Sequence, residues 1–161
     1  MRILPSALLA LVALAVVPAL AQAADAVSYT ASSESRVLVL LNDIRHEHGL
    51  TQLAPSSALH SAAREHSSDM LERGYFRHDS PGEPFGARIR RHLASPLVGE
   101  NIAWGTGRYG TPEGLVSLWM HSPEHRRIIL MSSLHRIGLG IATGTFKGIP
   151  GAVMATADFS A

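Results

Sequence analysis

The chain has 161 residues, a formal net charge of +1 and no cysteine. That length suits one domain and can bury a core without metal or disulfide staples. The near-zero charge excludes a strong electrostatic pull toward nucleic acid or anionic lipid. The missing cysteines exclude thiol chemistry, thiolate metal sites and lipid attachment through cysteine.

Arg2 is followed by an apolar stretch over 3–20, broken only by Pro5, Ser6 and Pro18, and then by Ala21-Gln22-Ala23. A charged start, an apolar middle and a small-x-small ending describe a signal peptide over 1–23. The competing reading is a membrane anchor, since spanning takes roughly 17–25 residues. Pro18 and the Ala-x-Ala ending favour cleavage after Ala23. An export signal without cysteine suits a bacterial envelope or secreted protein, so the expected location is secreted or periplasmic. No later stretch is long and apolar enough to span a bilayer. Residues 24–35 are small and polar and read as a flexible leader, which leaves 36–161 as the domain.

Val37, Leu40, Leu41 and Ile44 fall on one helical face within 34–48, with Ser33 as the expected cap and Gly49 as the stop. Pro55 suits the first turn of a second helix, in which Leu59, Ala62, Ala63, His66 and Met70 share a face. Gly74 suits the left-handed position that closes it. The stretch 75–84 is a loop by its Pro81, Gly82 and Pro84. A short helix over about 85–93 turns Ile89 and Leu93 inward, and its run of Arg88, Arg90, Arg91 and His92 reads as a solvated face. Segment 97–110 is glycine-rich and expected to be irregular. Thr111-Pro112-Glu113 supplies a cap, a first-turn proline and an acid at the positive helix end. Leu115, Val116, Leu118 and Trp119 form that helix's apolar face, with Trp119 read as core. Pro123 interrupts the helix, and 125–131 adds a turn or two. Ile137-Gly138-Leu139-Gly140-Ile141 then alternates with period two, and 153–159 is a second extended run. The connection over 144–151 is turn-rich, so the pair reads as an antiparallel hairpin. Helices first and strands last predict an α+β fold.

The chain has no Gly-x-Ser-x-Gly elbow, no phosphate loop and no His-Glu-x-x-His. His121-Ser122-Pro123-Glu124-His125 does match the inverted zinc-peptidase pattern His-x-x-Glu-His. That pattern needs both imidazoles on one helical face, and a proline between them disfavours the required helix. Nine histidines is a high count, and three further stretches hold polar residues in short loop-like motifs. They are Phe76-Arg77-His78-Asp79-Ser80-Pro81, Gly99-Glu100-Asn101-Ile102-Ala103, and Trp119-Met120 running on through Ser122-Pro123-Glu124-His125-Arg126.

Taken in this order, with Ile137-Gly138-Leu139-Gly140 and the closing Asp158-Phe159, the stretches resemble the CAP superfamily (SCP-like, cysteine-rich secretory, antigen and pathogenesis-related proteins), and its cysteine-free bacterial branch in particular. The resemblance runs from about Val37 to Phe159. It implies a three-layer α-β-α sandwich with a small antiparallel sheet and a central cleft lined by two histidines and acid. By motif the histidines are His78 and His125 and the acid is Glu100, a set that resembles an open zinc site. The sequence departs from the family pattern at Glu124, where glycine is usual, at Ile128, where asparagine is usual, and at Met154-Ala155-Thr156-Ala157. A second acid has no clear match; Ser122 stands near its place. Asn101 is expected to satisfy loop backbone, and Arg126 to pair with Glu100 or a carbonyl. His46, His48, His60, His66, His92 and His135 carry no motif and read as surface or satisfied groups.

The function implied is an exported, non-catalytic binding module whose cleft holds a divalent metal, zinc first, and meets a lipid, glycan or protein. The alternative is a metal-dependent hydrolase, a peptidase acting on peptide or cell-envelope material with Glu100 or Glu124 as base. A third reading makes the polar cluster purely structural. No nucleic-acid partner and no integral membrane position after signal cleavage are expected, and the protein is expected to be a monomer.

Overall fold

The computed structural model describes residues 27–161. The expected signal peptide and the first residues of the leader lie outside them. Strand β1 (Ser28–Tyr29) leads into helix α1 (Ala31–Glu47), strand β2 (Ala54–Pro55), helix α2 (Ser57–Arg73) and helix α3 (Phe85–His92). Strand β3 (Val98–Gly105), a short 3-10 turn, and helices α4 (Pro112–His121) and α5 (Pro123–Ile129) follow. Strands β4 (Arg136–Phe146) and β5 (Ile149–Ser160) close the chain.

The sheet runs β1-β4-β5-β3 with antiparallel neighbours, and β2 adds one parallel pairing to β4. It is covered on both faces because β4 is written with period two. Ile137, Leu139 and Ile141 join Val37 and Leu41 of α1, Leu115 and Trp119 of α4 and Ile129 of α5 in one buried core. On the other face Gly138 and Gly140 let α2 lie almost in backbone contact. A Cβ on Gly138 would sit 2.0 Å from the Leu59 carbonyl carbon, and one on Gly140 2.3 Å from that of Ala63. Helix α2 answers with small residues, since Ala62 and Ala63 are fully buried there. The expected α-β-α layering of an α+β domain is thus the observed one. No described helix is long and apolar enough to cross a membrane.

Several local expectations are corrected. The expected leader is part of the fold from Ser28 onward, because β1 pairs with β4 and α1 starts at Ala31. Glu34 is buried, and its carboxylate accepts from the Ile141 N–H (3.1 Å) and from Arg64 (3.0 and 2.7 Å). Thr30, not Ser33, stands at the α1 cap. Pro55 lies in β2, and Ser56 caps α2 by accepting from the Leu59 N–H. Leu118 is exposed rather than inward. The hairpin connection shrinks to two residues, Lys147 and Gly148, both with positive φ (49° and 81°) as a tight hairpin turn requires.

The largest correction is β3, where an irregular segment was expected. It pairs with β5 along its whole length, from Val98 opposite Ser160 to Gly105 opposite Val153. Both its faces are covered, so no apolar-polar alternation marks it. Its buried positions include Glu100 and Asn101, which disguise a strand as a loop.

Candidate functional site

Glu100 and Asn101 are neighbours on β3 and therefore project to opposite faces of the sheet. Glu100 meets the α2–α3 layer. Its Oε1 accepts from His78 Nδ1–H at 2.8 Å, and its Oε2 accepts from Arg88 Nη2. Asn101 meets the other layer, where its Nδ2 donates to the His125 carbonyl at 3.1 Å. One strand therefore fixes both motif histidines: His78 through its ring, and His125 through its backbone at the first turns of α5. The two ring centroids end 6.5 Å apart with planes inclined at 40°.

Arg88 is the main residue that sequence reasoning misplaced. It is 1% exposed, not part of a solvated face. Its Nη1 donates to the Ala62 carbonyl (3.0 Å) and to Asp158 Oδ2 (3.1 Å), while Nη2 reaches Glu100. Asp158 stands directly opposite Glu100 in the β3–β5 register. Two carboxylates thus share one guanidinium in a buried space, a placement that demands a cation. Burial, and then the Glu100 carboxylate, push the Asp158 carboxyl well above its ordinary range, with Arg88 opposing. Burial pulls Arg88 down, but the Asp158 and Glu100 charges outweigh it and hold the guanidinium above its ordinary value.

The two histidines are driven apart in basicity. The hydrogen bond to Glu100 raises His78 above the usual imidazole value, against its partial burial. Burial lowers His125, and the neighbouring His78 adds to that, while Glu124 opposes. His78 is half exposed, at 46% of its side chain, whereas the Glu100 side chain is 1% exposed. No protein partner is found for His78 Nε2 among the described residues.

A second missed residue, His66, secures the loop that carries His78. Its ring is fully buried; Nε2–H donates to the Arg77 carbonyl (3.0 Å) and Nδ1 lies 3.3 Å from Ser80 Oγ. Burial holds it below the ordinary imidazole value, with Glu100, 3.8 Å away, opposing. Tyr75 adds hydrogen bonds to Asp69 and Ser80 from the same loop. Burial and the Asp69 bond push the Tyr75 hydroxyl up to about 12. Asp79 Oδ1 accepts from the Phe85 N–H at 2.9 Å and so starts α3.

The remaining candidates do not join the His78–Glu100 pair. Arg126 lies against His48 Nε2 (3.0 Å) and reaches neither Glu100 nor a carbonyl. His121 Nδ1 bonds the Ser117 carbonyl (2.8 Å) in α4, and Pro123 starts a separate helix, so His121 and His125 share no helical face. Glu124 is exposed. Among the described residues, no set of three or more His, Asp or Glu side chains is arranged to hold a metal ion. Beside His78 and Glu100 opens a cavity of about 380 Å³ whose walls include Phe85, Leu97, Ile128 and Met131.

A family model described as the cysteine-rich secretory protein family (CAP) matches residues 38–156. The chain belongs to this family. Two relatives come from Bacillus subtilis (strain 168). The uncharacterized protein YkwD is 37% identical over 118 residues, 72% of this chain and 45% of its own length. The uncharacterized membrane protein YlbC is 34% identical over 114 residues, 68% of this chain and 32% of its own. This chain therefore spans less than half the length of either. An extracellular SCP-domain protein from Bacillus anthracis str. Ames superposes with a TM-score of 0.63 at 31% identity, covering 80% of this chain and 40% of that one. An outer surface protein from Borrelia burgdorferi superposes with a TM-score of 0.74 at 19% identity, covering 84% of this chain and 96% of that one, a likeness of fold alone.

The CAP resemblance would have led to Asp158, which closes the motif series, but not to its partner. The signal for Arg88 was indirect: an acid read inside a strand needs a buried counter-charge. The signal for His66 was its place on the apolar face of α2, where a histidine needs partners on both ring nitrogens.

Proposed function

We propose that this CAP domain is an exported, non-catalytic binding module whose cleft takes a divalent cation, zinc first, on the imidazoles of His78 and His125. Through that cleft and its rim it would meet a lipid, glycan or protein. The observation that carries the reading is the state of Glu100. Both its oxygens are committed, one to His78 and one to Arg88, beneath a surface that leaves its side chain 1% exposed. Glu100 therefore does not fit as a ligand. It fits as the carboxylate that orients a ligating histidine, leaving Nε2 to face an ion. His78 and His125 do fit as a two-imidazole donor pair. A bound zinc would supply Lewis acidity and open coordination positions; the chain supplies the fixed tautomer of His78 and the α5 backbone hold on His125.

The same observation weighs against the hydrolase. A base for water needs a free carboxylate at the cleft, and Glu100, one of the two candidate bases, is already engaged, which leaves Glu124 alone for that role. Calorimetric titration of the purified protein with zinc tests the proposal. One site is expected, lost in His78→Ala and in His125→Ala and weakened roughly 10–100-fold in Glu100→Gln. Affinity should fall below about pH 6 as the imidazoles take up protons. Equal heats from the protein and from the double histidine variant would refute the cation. Chelator-sensitive peptide cleavage abolished by His125→Ala would establish the hydrolase instead.

A further inference from the structure

The arginines near the cleft are nearly all spoken for. Arg88 is held by Glu100 and Asp158, Arg91 by Glu65 and Glu83, and Arg126 lies on His48. Arg127 differs. It stands in the last turn of α5, is exposed, and lines the 380 Å³ cavity, with no ion pair or hydrogen bond among the described residues. Most of the cavity wall is apolar, through Phe85, Leu97, Val98, Ile128, Met131 and Leu134, and His78 and Glu100 form its inner polar end. Glu100 borders the same space but repels little, because its charge is matched by Arg88 on one oxygen and bonded by His78 on the other. A largely apolar hollow with an unpaired guanidinium at its edge, and the His78 imidazole rather than a free acid at its inner end, is complementary to a single anionic group on a greasy body.

We propose that this cavity binds a monocarboxylate carrying one compact apolar group, with the apolar group against Phe85, Leu97, Ile128 and Met131 and the carboxylate on the Arg127 guanidinium. At about 30 Å³ per heavy atom, taken from the volume share of a water molecule, the space holds roughly a dozen non-hydrogen atoms. A medium-length acyl chain and a peptide's C-terminal apolar residue both meet that description. The ligand class deepens the binding-module reading and rests on it, but it does not depend on the cation.

The experiment is calorimetric titration of the full protein, in chelator, with decanoate, N-acetyl-leucine and decylamine. At least one of the two acids binds and the amine does not. Arg127→Gln weakens that binding roughly tenfold or more, the worth of a charge-assisted hydrogen bond. Leu97→Trp, which fills the cavity and leaves Arg127 in place, abolishes it. Decanoate alone binding assigns the site to an acyl chain, and N-acetyl-leucine alone assigns it to a peptide end; either supports the proposal. Binding by neither acid, equal binding of decylamine, or an affinity untouched by Arg127→Gln overturns it. Chelator removes metal from this titration, so acid binding here with no heat in the separate zinc titration would sink the cation and keep this site, and the reverse pair of results would do the opposite.

Discussion

Replacing Arg88 by methionine should be among the most damaging single changes in the domain. The side chain is 1% exposed and is the cation between Glu100 and Asp158, which face each other across the β3–β5 ladder. Arg88→Met keeps much of the volume but leaves two carboxylates buried and uncompensated, and also strands the Ala62 carbonyl it capped. Breaking a buried ion pair from one side costs about 3–5 kcal/mol, a large share of a domain stability of roughly 5–15 kcal/mol. For a domain of this size that corresponds to a fall in Tm of about 11–18 °C. Urea unfolding followed by circular dichroism measures it. The deficit should shrink as pH falls from 8 to 5, since protonating either acid removes the unpaired charge. Adding Asp158→Asn to Arg88→Met should recover part of the loss. A deficit below about 1 kcal/mol, or one that the second substitution leaves unchanged, would show that the guanidinium is not balancing these acids.

Gly140→Ala should cost about 3 kcal/mol in urea unfolding, because its Cβ would meet the backbone of α2 at 2.3 Å rather than a side chain that can move. The pH dependence of two histidine variants should have opposite signs. His66 is held low by burial, so the unfolded chain takes up its proton first. The stability it gives is therefore full above about pH 6.5 and lost as pH falls below that, and the cost of His66→Gln should shrink on acidification. His78 is held high by Glu100, so the cost of His78→Asn should be greatest below about pH 6.5 and fade as pH rises through the folded value. Matching slopes for the two variants would refute both assignments. Asn101→Ala should cost about 1–2 kcal/mol and raise amide exchange in α5 more than in α2, measured by mass spectrometry, since it removes the bond to the His125 carbonyl.

What could be read in advance followed from patterns that packing leaves unambiguous. The glycine-apolar alternation of β4, the apolar face of α2, the Thr111 cap and the proline break before α5 each have one physical meaning, and each is present. His78, His125 and Glu100 were singled out through motifs, and of these His78 and Glu100 are joined by a hydrogen bond. The failures share a cause, which is charge in the interior. The small polar residues around Glu34 made a helix start look like a leader, glycines together with Glu100 and Asn101 made β3 look like a loop, and Arg88 made the buried side of α3 look solvated. Each is tolerable only because its partner comes from a distant stretch: Arg64 for Glu34, Asp158 for Arg88. Such pairings depend on tertiary structure and leave no local mark.

The alternation of Glu100 and Asn101 has a consequence for how this domain tolerates change. Deleting Gly99, with the start of β3 held in register, would move Glu100 and Asn101 back one step and exchange their faces, setting the Asn101 amide beneath the guanidinium and a bare acid on the α5 side. Loops on either side can lengthen without touching that arrangement, but the spacing along β3 cannot drift by a single step. Both arms of the cleft are indexed to one dipeptide.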